Sequence, residues 1–273
     1  MNNRKGTTGD SHSDSHSDSH CSVETPFIAG SSGCRTVPAM TRTALILMLV
    51  ALTVTGAGAS TAANAVGSGR AGFSANVTNR WFPLRPGSVY RYRGVKNGKP
   101  SRELMIVTHR TRTIDGAPCV AVSDRLYIRG KLEERTIDWY TQDARGNVWY
   151  FGERTAELDA NGKVKSTEGS WMAGVHGAKP GIFMFTHPRP GRSARQEYLK
   201  GQAEDHFQVV SMDVPARVPY RSFRHTMLTK EWTPLEPGVI DHKYYARGIG
   251  TVLERTVKGG NERNELVSFR RGA

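Results

Sequence analysis

Short runs of alternating apolar and polar residues dominate the chain from about Trp81 onward. A period of two is typical of strands with one buried face, and almost no 3.6-residue periodicity persists over the length of a helix. We therefore predict a mostly β, antiparallel fold with about a dozen strands and little helix apart from a signal peptide. The strands are placed near 87–94, 102–113, 117–129, 132–142, 147–157, 163–170, 194–201, 204–213, 223–232, 240–247, 249–258 and 262–270.

Glycine-containing pairs separate the predicted strands of the first half, at Asn97-Gly98, Asp115-Gly116, Arg129-Gly130, Arg145-Gly146 and Asn161-Gly162. These residues readily adopt the positive φ angles of tight hairpin turns, so successive hairpins predict an up-and-down meander. The proline-containing segment 176–191 has no strand signal. It is interpreted either as a binding loop or as a surface crossing between two halves of the sheet.

An apolar run from Ala44 to Val54 follows Met40 and a short basic segment. A membrane-spanning helix needs roughly 20 apolar residues, whereas the apolar region of a signal peptide needs only about 7–15. The sequence Ala63-Asn64-Ala65 suits signal peptidase, with Ala57-Gly58-Ala59 as a second candidate. We therefore predict a signal peptide over 40–65, a mature chain that begins near Val66 without a transmembrane anchor, and a secreted or cell-envelope location.

Three further segments are predicted from composition. Residues 1–39 are polar and contain a repeat of Ser, His and Asp, so they are expected to be a disordered or untranslated extension, although His-rich tracts can also bind metal. Residues 66–78 are small and polar and predict a flexible leader. Residues 79–271 are expected to form a single antiparallel β domain. Both Met1 and Met40 remain possible start positions.

The net charge of +13 belongs to the chain after residue 65, because the four basic and four acidic residues before it cancel. Residues 80–135 hold thirteen basic against five acidic side chains. In an exported protein this charge favours lipid head groups or acidic envelope polymers over nucleic acid, although a solvated surface explains it too. Cys119 is the one cysteine after residue 65, and its apolar neighbours predict a buried, unreactive thiol.

Motifs for a nucleophile, zinc or a bound phosphate do not occur after residue 65, so no catalytic residue, metal ligand or cofactor is predicted. Whether the protein is an enzyme stays uncertain, and a non-enzymatic role is favoured. Acidic residues stand beside aromatic ones at Asp138, Glu153, Glu168 and Glu197, which is typical of carbohydrate sites and also of sheets in general. An envelope glycan or ester hydrolase acting through Glu168, Glu153 or His242 is therefore one alternative.

Several predicted strands are apolar on both faces, as at Trp149 and Phe151 on one face and Val148 and Tyr150 on the other. Such a sheet must be covered on both faces or bind something on one of them. The predicted ligand-binding residues are the aromatic residues and two rim cations Trp139, Tyr140, Trp149, Phe151, Trp171, Trp232, Tyr245, Lys179 and Arg195. Ordinary core packing and solvated charge would explain the same residues.

Several motifs together resemble a family of uncharacterised secreted bacterial proteins over about 80–270. They are Asp138–Asp143, Gly146–Glu153, Ser166–Trp171, Gly177–Ile182, Arg195–Tyr198, Glu231–Gly238 and His242–Ala246. Tyr244-Tyr245-Ala246 followed by Gly248-Ile249-Gly250 is also similar to the final hairpin of periplasmic half-barrel proteins related to lipoprotein-carrier folds.

The resemblance implies a strongly curved antiparallel sheet or half-barrel with a hydrophobic inner face and no known chemistry. We therefore expect an exported protein that binds an apolar or amphipathic ligand, such as a lipid or small amphiphile, or an acidic cell-envelope polymer. A protein-interaction module without a pocket is the other alternative.

Overall fold

The computed structural model describes residues 72–273, and all regular structure there is β-sheet. The predicted extension at 1–39, the signal peptide at 40–65 and residues 66–71 of the predicted leader lie outside the described residues. The strands of the first half are β1 (Phe73–Ser74), β2 (Val89–Lys96), β3 (Lys99–Ile114), β4 (Ala117–Ile128), β5 (Lys131–Asp143), β6 (Val148–Leu158), β7 (Val164–Ser166) and β8 (Trp171–Met172). Those of the second half are β9 (Lys179–Met184), β10 (Ser193–Arg195), β11 (Glu197–Tyr198), β12 (His206–Arg217), β13 (Ser222–Trp232), β14 (Ile240–Ala246), β15 (Gly250–Lys258) and β16 (Arg263–Arg270).

The predicted hairpin turns are present. Asn97-Gly98, Asp115-Gly116 and Arg129-Gly130 have positive φ at both residues, which matches the right-handed twist of the flanking strands. At the next two turns, Gly146 and Gly162 alone take the positive φ, and Asp143 and Asp159 accept backbone hydrogen bonds across the loop. The turn chemistry of the sequence therefore determines where most of the long strands begin and end.

Two antiparallel meanders, β2 to β6 and β12 to β16, join through a pairing between β16 and β2. The other two edges approach through the segment 193–198, whose first half pairs with β12 and whose second half pairs with β9. The sheet is consequently nearly closed into a barrel, which confirms the predicted fold class. No helix able to cross a membrane is found within residues 72–273.

Residues 176–191 are not free of strand structure, contrary to the prediction. His176 and Gly177 form a tight turn with positive φ, and β9 follows at Lys179. Pro180 lies inside β9, opposite Glu197 of β11. Proline cannot donate a hydrogen bond to a neighbouring strand, so it weakens the sequence pattern that indicates a strand. The segment can still form a strand because its other backbone groups remain able to pair.

One face of β5 and β6 is covered by residues just after the start of the described chain. The ring of Phe73 packs edge-on against Trp149 and Phe151, at 5.9 and 5.4 Å between ring centroids. Ser74 accepts a hydrogen bond from the Thr141 hydroxyl, and Val77 is fully buried. Residues 73–77 of the predicted leader therefore lie against the sheet.

Candidate ligand site in the barrel interior

Charged side chains from across the barrel converge on its interior. We call this group the interior acidic cluster; its members are Glu103, Asp124, Asp138, Glu153, Glu197, Glu231, Glu254 and Lys243. The seven carboxyl groups come from seven strands, and Lys243 comes from an eighth. Lys243 on β14 interacts electrostatically with Glu103 on β3 and with Glu197 on β11. Groups so distant in the strand order can interact in this way only if the curved sheet turns them toward the same inner side.

Strand alternation explains why these charges point inward. Asp138 is two residues from Tyr140 on β5, and Lys243 is two residues from Tyr245 on β14. Alternate residues of a strand share a face, so Asp138 points to the side of Tyr140 and Lys243 to the side of the fully buried Tyr245. The charged residues are half-buried, apart from Glu197 and Glu231, which are buried.

Tyr150 connects Asp138 and Glu153. Its hydroxyl oxygen lies 2.6 Å from a carboxyl oxygen of Asp138 and 2.9 Å from one of Glu153. A tyrosine hydroxyl carries one proton and can donate only one of these hydrogen bonds. Both contacts are satisfied together when one of the two carboxyl groups is protonated and donates to the tyrosine oxygen.

A β-bulge places Glu153 on this side of the sheet. Along β5 and β6, Trp139 lies opposite Gly152 and Tyr140 lies opposite Tyr150, so Phe151 is an extra residue in β6. Without the bulge, Tyr150 and Glu153 would face opposite ways, because they are three residues apart. Gly152 has a φ of 149°, and a Cβ atom there would lie 2.6 Å from the carbonyl oxygen of Trp171. Glycine is thus required at the position that turns Glu153 inward.

Glu103 and Asp124 form a second acidic pair. Their side chains are hydrogen-bonded to each other, and Asn264 also donates a hydrogen bond to Glu103. Burial raises the pKa of both carboxyl groups, and the charge of Glu103 adds to the rise at Asp124. Two carboxyl groups can form a hydrogen bond only if they share a proton. The pair therefore holds a proton at pH values where separate, exposed carboxyl groups are ionised.

Burial also raises the pKa of the other acids. It raises the pKa of Asp138 to about 7, although the hydrogen bond from Tyr150 opposes the change. Burial raises the pKa of Glu197 to about 8, with a further contribution from Asp205, and that of Glu254 to about 7 against the effect of Lys243. At Glu153, burial and the charges of Asp138 and Glu197 raise the pKa well above its ordinary value.

Lys243 is the cation in direct contact with the cluster. Its ammonium group lies 3.0 Å from Glu231 and 3.5 Å from Glu254. Burial opposes the charge on Lys243, but these two carboxyl groups outweigh that effect and raise the pKa of the lysine well above its usual value. Glu231 also accepts hydrogen bonds from Thr229 and Tyr245, at 2.8 and 3.1 Å. One end of the cluster is therefore neutralised, while no basic side chain among residues 72–273 contacts the acids around Tyr150.

Three of the predicted ligand residues border this cluster. The indole N–H of Trp171 donates a 2.6 Å hydrogen bond to Glu197, and Tyr245 bonds to Glu231. Tyr140 stacks on Tyr150 with 4.7 Å between ring centroids. These aromatic side chains lie next to acids instead of forming a wholly apolar face, so the inner face is not simply hydrophobic.

The other predicted ligand residues lie elsewhere. Trp139, Trp149 and Phe151 are on the opposite face of β5 and β6, where Arg112 and Phe73 pack against them. Trp232 stacks on His206. The exposed residues Lys179 and Arg195 both neighbour Tyr198: Lys179 is its strand partner, and the Arg195 guanidinium lies 4.1 Å from the ring centroid.

The candidate catalytic residues are also separated. Glu168 is exposed in a turn, whereas Glu153 is in the cluster. His242 pairs with Lys230 and Arg255 on the face opposite to Lys243, and burial together with Arg255 lowers its pKa. Cys119 is buried as predicted, and burial raises the pKa of its thiol to about 12.

Sequence reasoning missed Glu103, Asp124, Glu231, Lys243 and Glu254. Strand alternation could have found them, because each of these residues lies an even number of positions along its strand from a buried residue such as Val122, Val252 or Tyr245. A charged residue on the face of a strand that points into the core is uncommon unless it is paired or functional. Among residues 72–273, no three His, Cys, Asp or Glu side chains are arranged to hold a metal ion.

Comparison with known proteins gives structural neighbours of low identity. No family model and no curated protein matches the chain. A candidate exported protein with a YmcC-like fold from Bacteroides fragilis is 13% identical, with a TM-score of 0.42 over 71% of this chain and 100% of that one. A candidate lipoprotein from Parabacteroides distasonis is 11% identical, with a TM-score of 0.38 over 70% of this chain and 99% of that one. Membership of the family that the sequence motifs resemble stays a prediction.

Proposed function

We propose that the protein is exported and binds a small amphipathic ligand in its barrel interior, with amino or hydroxyl groups of the ligand held by the interior acidic cluster. The observation that carries this proposal is the convergence of seven carboxyl groups on one interior in which Lys243 is the contacting cation. A ligand that brings positive charge or hydrogen-bond donors would complement this excess of acid.

The cost of the cluster supports a binding role. Transfer of a carboxylate from water into a protein interior costs several kcal/mol, and apolar residues of similar size at such positions are often as stable or more so. Small barrels normally fill their interior with packed side chains. Titratable groups that are retained despite this cost, and whose pKa values are perturbed, are therefore typical of functional sites.

The neighbouring aromatic residues favour an amphipathic ligand. Tyr140, Tyr150 and Trp171 border the acids, and Phe183 packs on both tyrosine rings at 5.0 and 5.9 Å. An ammonium group held by Asp138 and Glu153 would lie close to these ring systems, which attract cations. The apolar part of the same ligand would contact the ring surfaces.

The test uses octylamine as the probe and octanoate as the control of opposite charge, by calorimetric titration at pH 7. We expect octylamine to bind and octanoate not to bind. The double variant Asp138→Asn/Glu153→Gln should weaken octylamine binding about tenfold or more, because it removes a charge-assisted contact. The exposed Glu168→Gln is the matched control and should leave binding unchanged. Equal binding of octanoate would show that the acids do not select the ligand.

A hydrolase is the second candidate, and the geometry at Tyr150 favours it. The two carboxyl oxygens that contact Tyr150, one from Asp138 and one from Glu153, cannot be farther apart than the sum of their 2.6 and 2.9 Å distances to the tyrosine oxygen. Retaining glycosidases place their two carboxyl groups roughly 5–5.5 Å apart. A raised pKa on one member of such a pair would suit a general acid.

A chromogenic glycoside of N-acetylglucosamine distinguishes the two functions. If the protein is a hydrolase, wild-type protein releases the chromophore, and Glu153→Gln and Asp138→Asn each abolish the release while Glu168→Gln does not. If it is a binding protein only, no variant changes the background rate.

A further inference from the structure

The outer face of the first meander carries a band of arginine residues. Six lie on β2 to β6 with the same orientation: Arg91, Arg93, Arg102, Arg125, Arg135 and Arg154. All six are exposed. Their strand parity is opposite to that of Glu103, Asp124 and Asp138, so the band lies on the convex side of the sheet, away from the interior acidic cluster.

Arginine residues in the band oppose one another directly. Arg93 is the cross-strand partner of Arg102, and Arg125 is the partner of Arg135. Like charges in directly opposed positions of a sheet are destabilising. Within residues 72–273, none of the six forms a salt bridge; Glu265, the cross-strand neighbour of Arg93, is instead paired with Arg263.

We propose that this arginine band binds a linear, phosphate-bearing polyanion. Neighbouring strands are about 4.8 Å apart, so the guanidinium groups form a row across five strands that successive phosphate groups of one polymer could reach. Arginine presents a planar fork of donors that matches phosphate, and its charge does not titrate near neutral pH. The repulsion between opposed arginine pairs would be relieved when phosphate groups lie between them.

The curvature of the sheet favours a polymer over a membrane surface. The band follows the convex side of a nearly closed sheet, so a flat bilayer would touch only part of the row. A flexible polymer can follow the curve and contact the arginine residues of all five strands. This site is on the opposite face from the proposed ligand site, so either can fail without the other.

The test measures binding of long-chain inorganic polyphosphate by fluorescence anisotropy over a series of salt concentrations. The band variant is Arg93→Gln/Arg102→Gln/Arg125→Gln/Arg135→Gln. The control variant has the same net charge and removes four exposed cations outside β2 to β6: Arg189→Gln/Lys200→Gln/Arg224→Gln/Lys258→Gln. Far-UV circular dichroism and the thermal midpoint confirm that each variant is folded.

We expect the band variant to bind at least about tenfold more weakly and to lose about three units from the slope of log K against log salt, because each lost phosphate contact removes about 0.7–0.9. The control should bind within about twofold of the wild type, and the midpoint of the band variant should not fall. Equal losses in the two variants would overturn the proposal, since binding would then follow net charge alone. Tighter binding to vesicles of anionic phospholipid than to polyphosphate would also overturn it.

Discussion

Stability should fall as the pH rises from 5 to 7, the reverse of the usual behaviour of proteins with salt-bridged carboxylates. Burial raises the pKa of Asp138 from 3.8 to about 7, that of Glu197 from 4.5 to about 8, and that of Glu254 from 4.5 to about 7. Between these limits the folded protein holds protons that the unfolded chain has released. The free energy of unfolding must therefore decrease with pH in this window.

The size of the effect follows from the number of such groups. Each proton held only by the folded state contributes a slope of up to about 1.4 kcal/mol per pH unit, so three groups give an upper limit of about 4 kcal/mol per unit. Solvent screening of half-buried side chains and the coupling between neighbouring acids reduce this value. His242, whose pKa is lowered by burial and by Arg255, acts in the opposite direction. We expect a net slope of about −1 to −2 kcal/mol per pH unit near pH 6.

Urea unfolding at half-unit steps between pH 5 and 7.5 measures this slope, with a constant m-value as the check for two-state behaviour. Asp138→Asn should reduce the slope by up to about 1.4 kcal/mol per pH unit, because it removes one of the contributing carboxyl groups. Glu168→Gln removes an exposed acid and should leave the slope unchanged. A free energy of unfolding that stays level or rises over this range would refute the assignment of protonated acids to the interior.

Three further predictions concern stability, each measured by chemical denaturation. Lys243→Met should lower the free energy of unfolding by about 3 kcal/mol, because Glu231 loses its ion-pair partner in a buried setting. Lys258→Met should stay within about 0.5 kcal/mol of the wild type, and equal costs for the two variants would contradict the ion pair. Gly152→Ala should cost at least about 2 kcal/mol more than Gly98→Ala, since both have positive φ but only the first meets backbone atoms. Phe73→Ala should cost about 2 kcal/mol through its two lost ring contacts, and no loss would mean that it does not cover Trp149 and Phe151.

Much of the fold could be predicted because its determinants are local. Pairs such as Asn97-Gly98 and Asp115-Gly116 favour positive φ by their own chemistry, so the hairpins followed from the sequence. Period-two alternation indicated most of the long strands, and it correctly separated Trp149 and Phe151 from Val148 and Tyr150. Burial of Cys119 followed from its apolar neighbours in the same way.

The candidate site depends on contacts between residues far apart in the chain. Alternation alone assigns Glu153 to the face of Trp149 and Phe151; the bulge beside Gly152 reverses this and brings Glu153 to Tyr150. The pairing of β16 with β2 and the bridging segment 193–198 then bring acids from seven strands into one interior. The sequence by itself determined the strands, the turns and the face of most side chains, because these depend on neighbouring residues. Only the tertiary structure decided which strand faces meet and where one extra residue reverses the alternation of side chains, because strand register is set by long-range pairing.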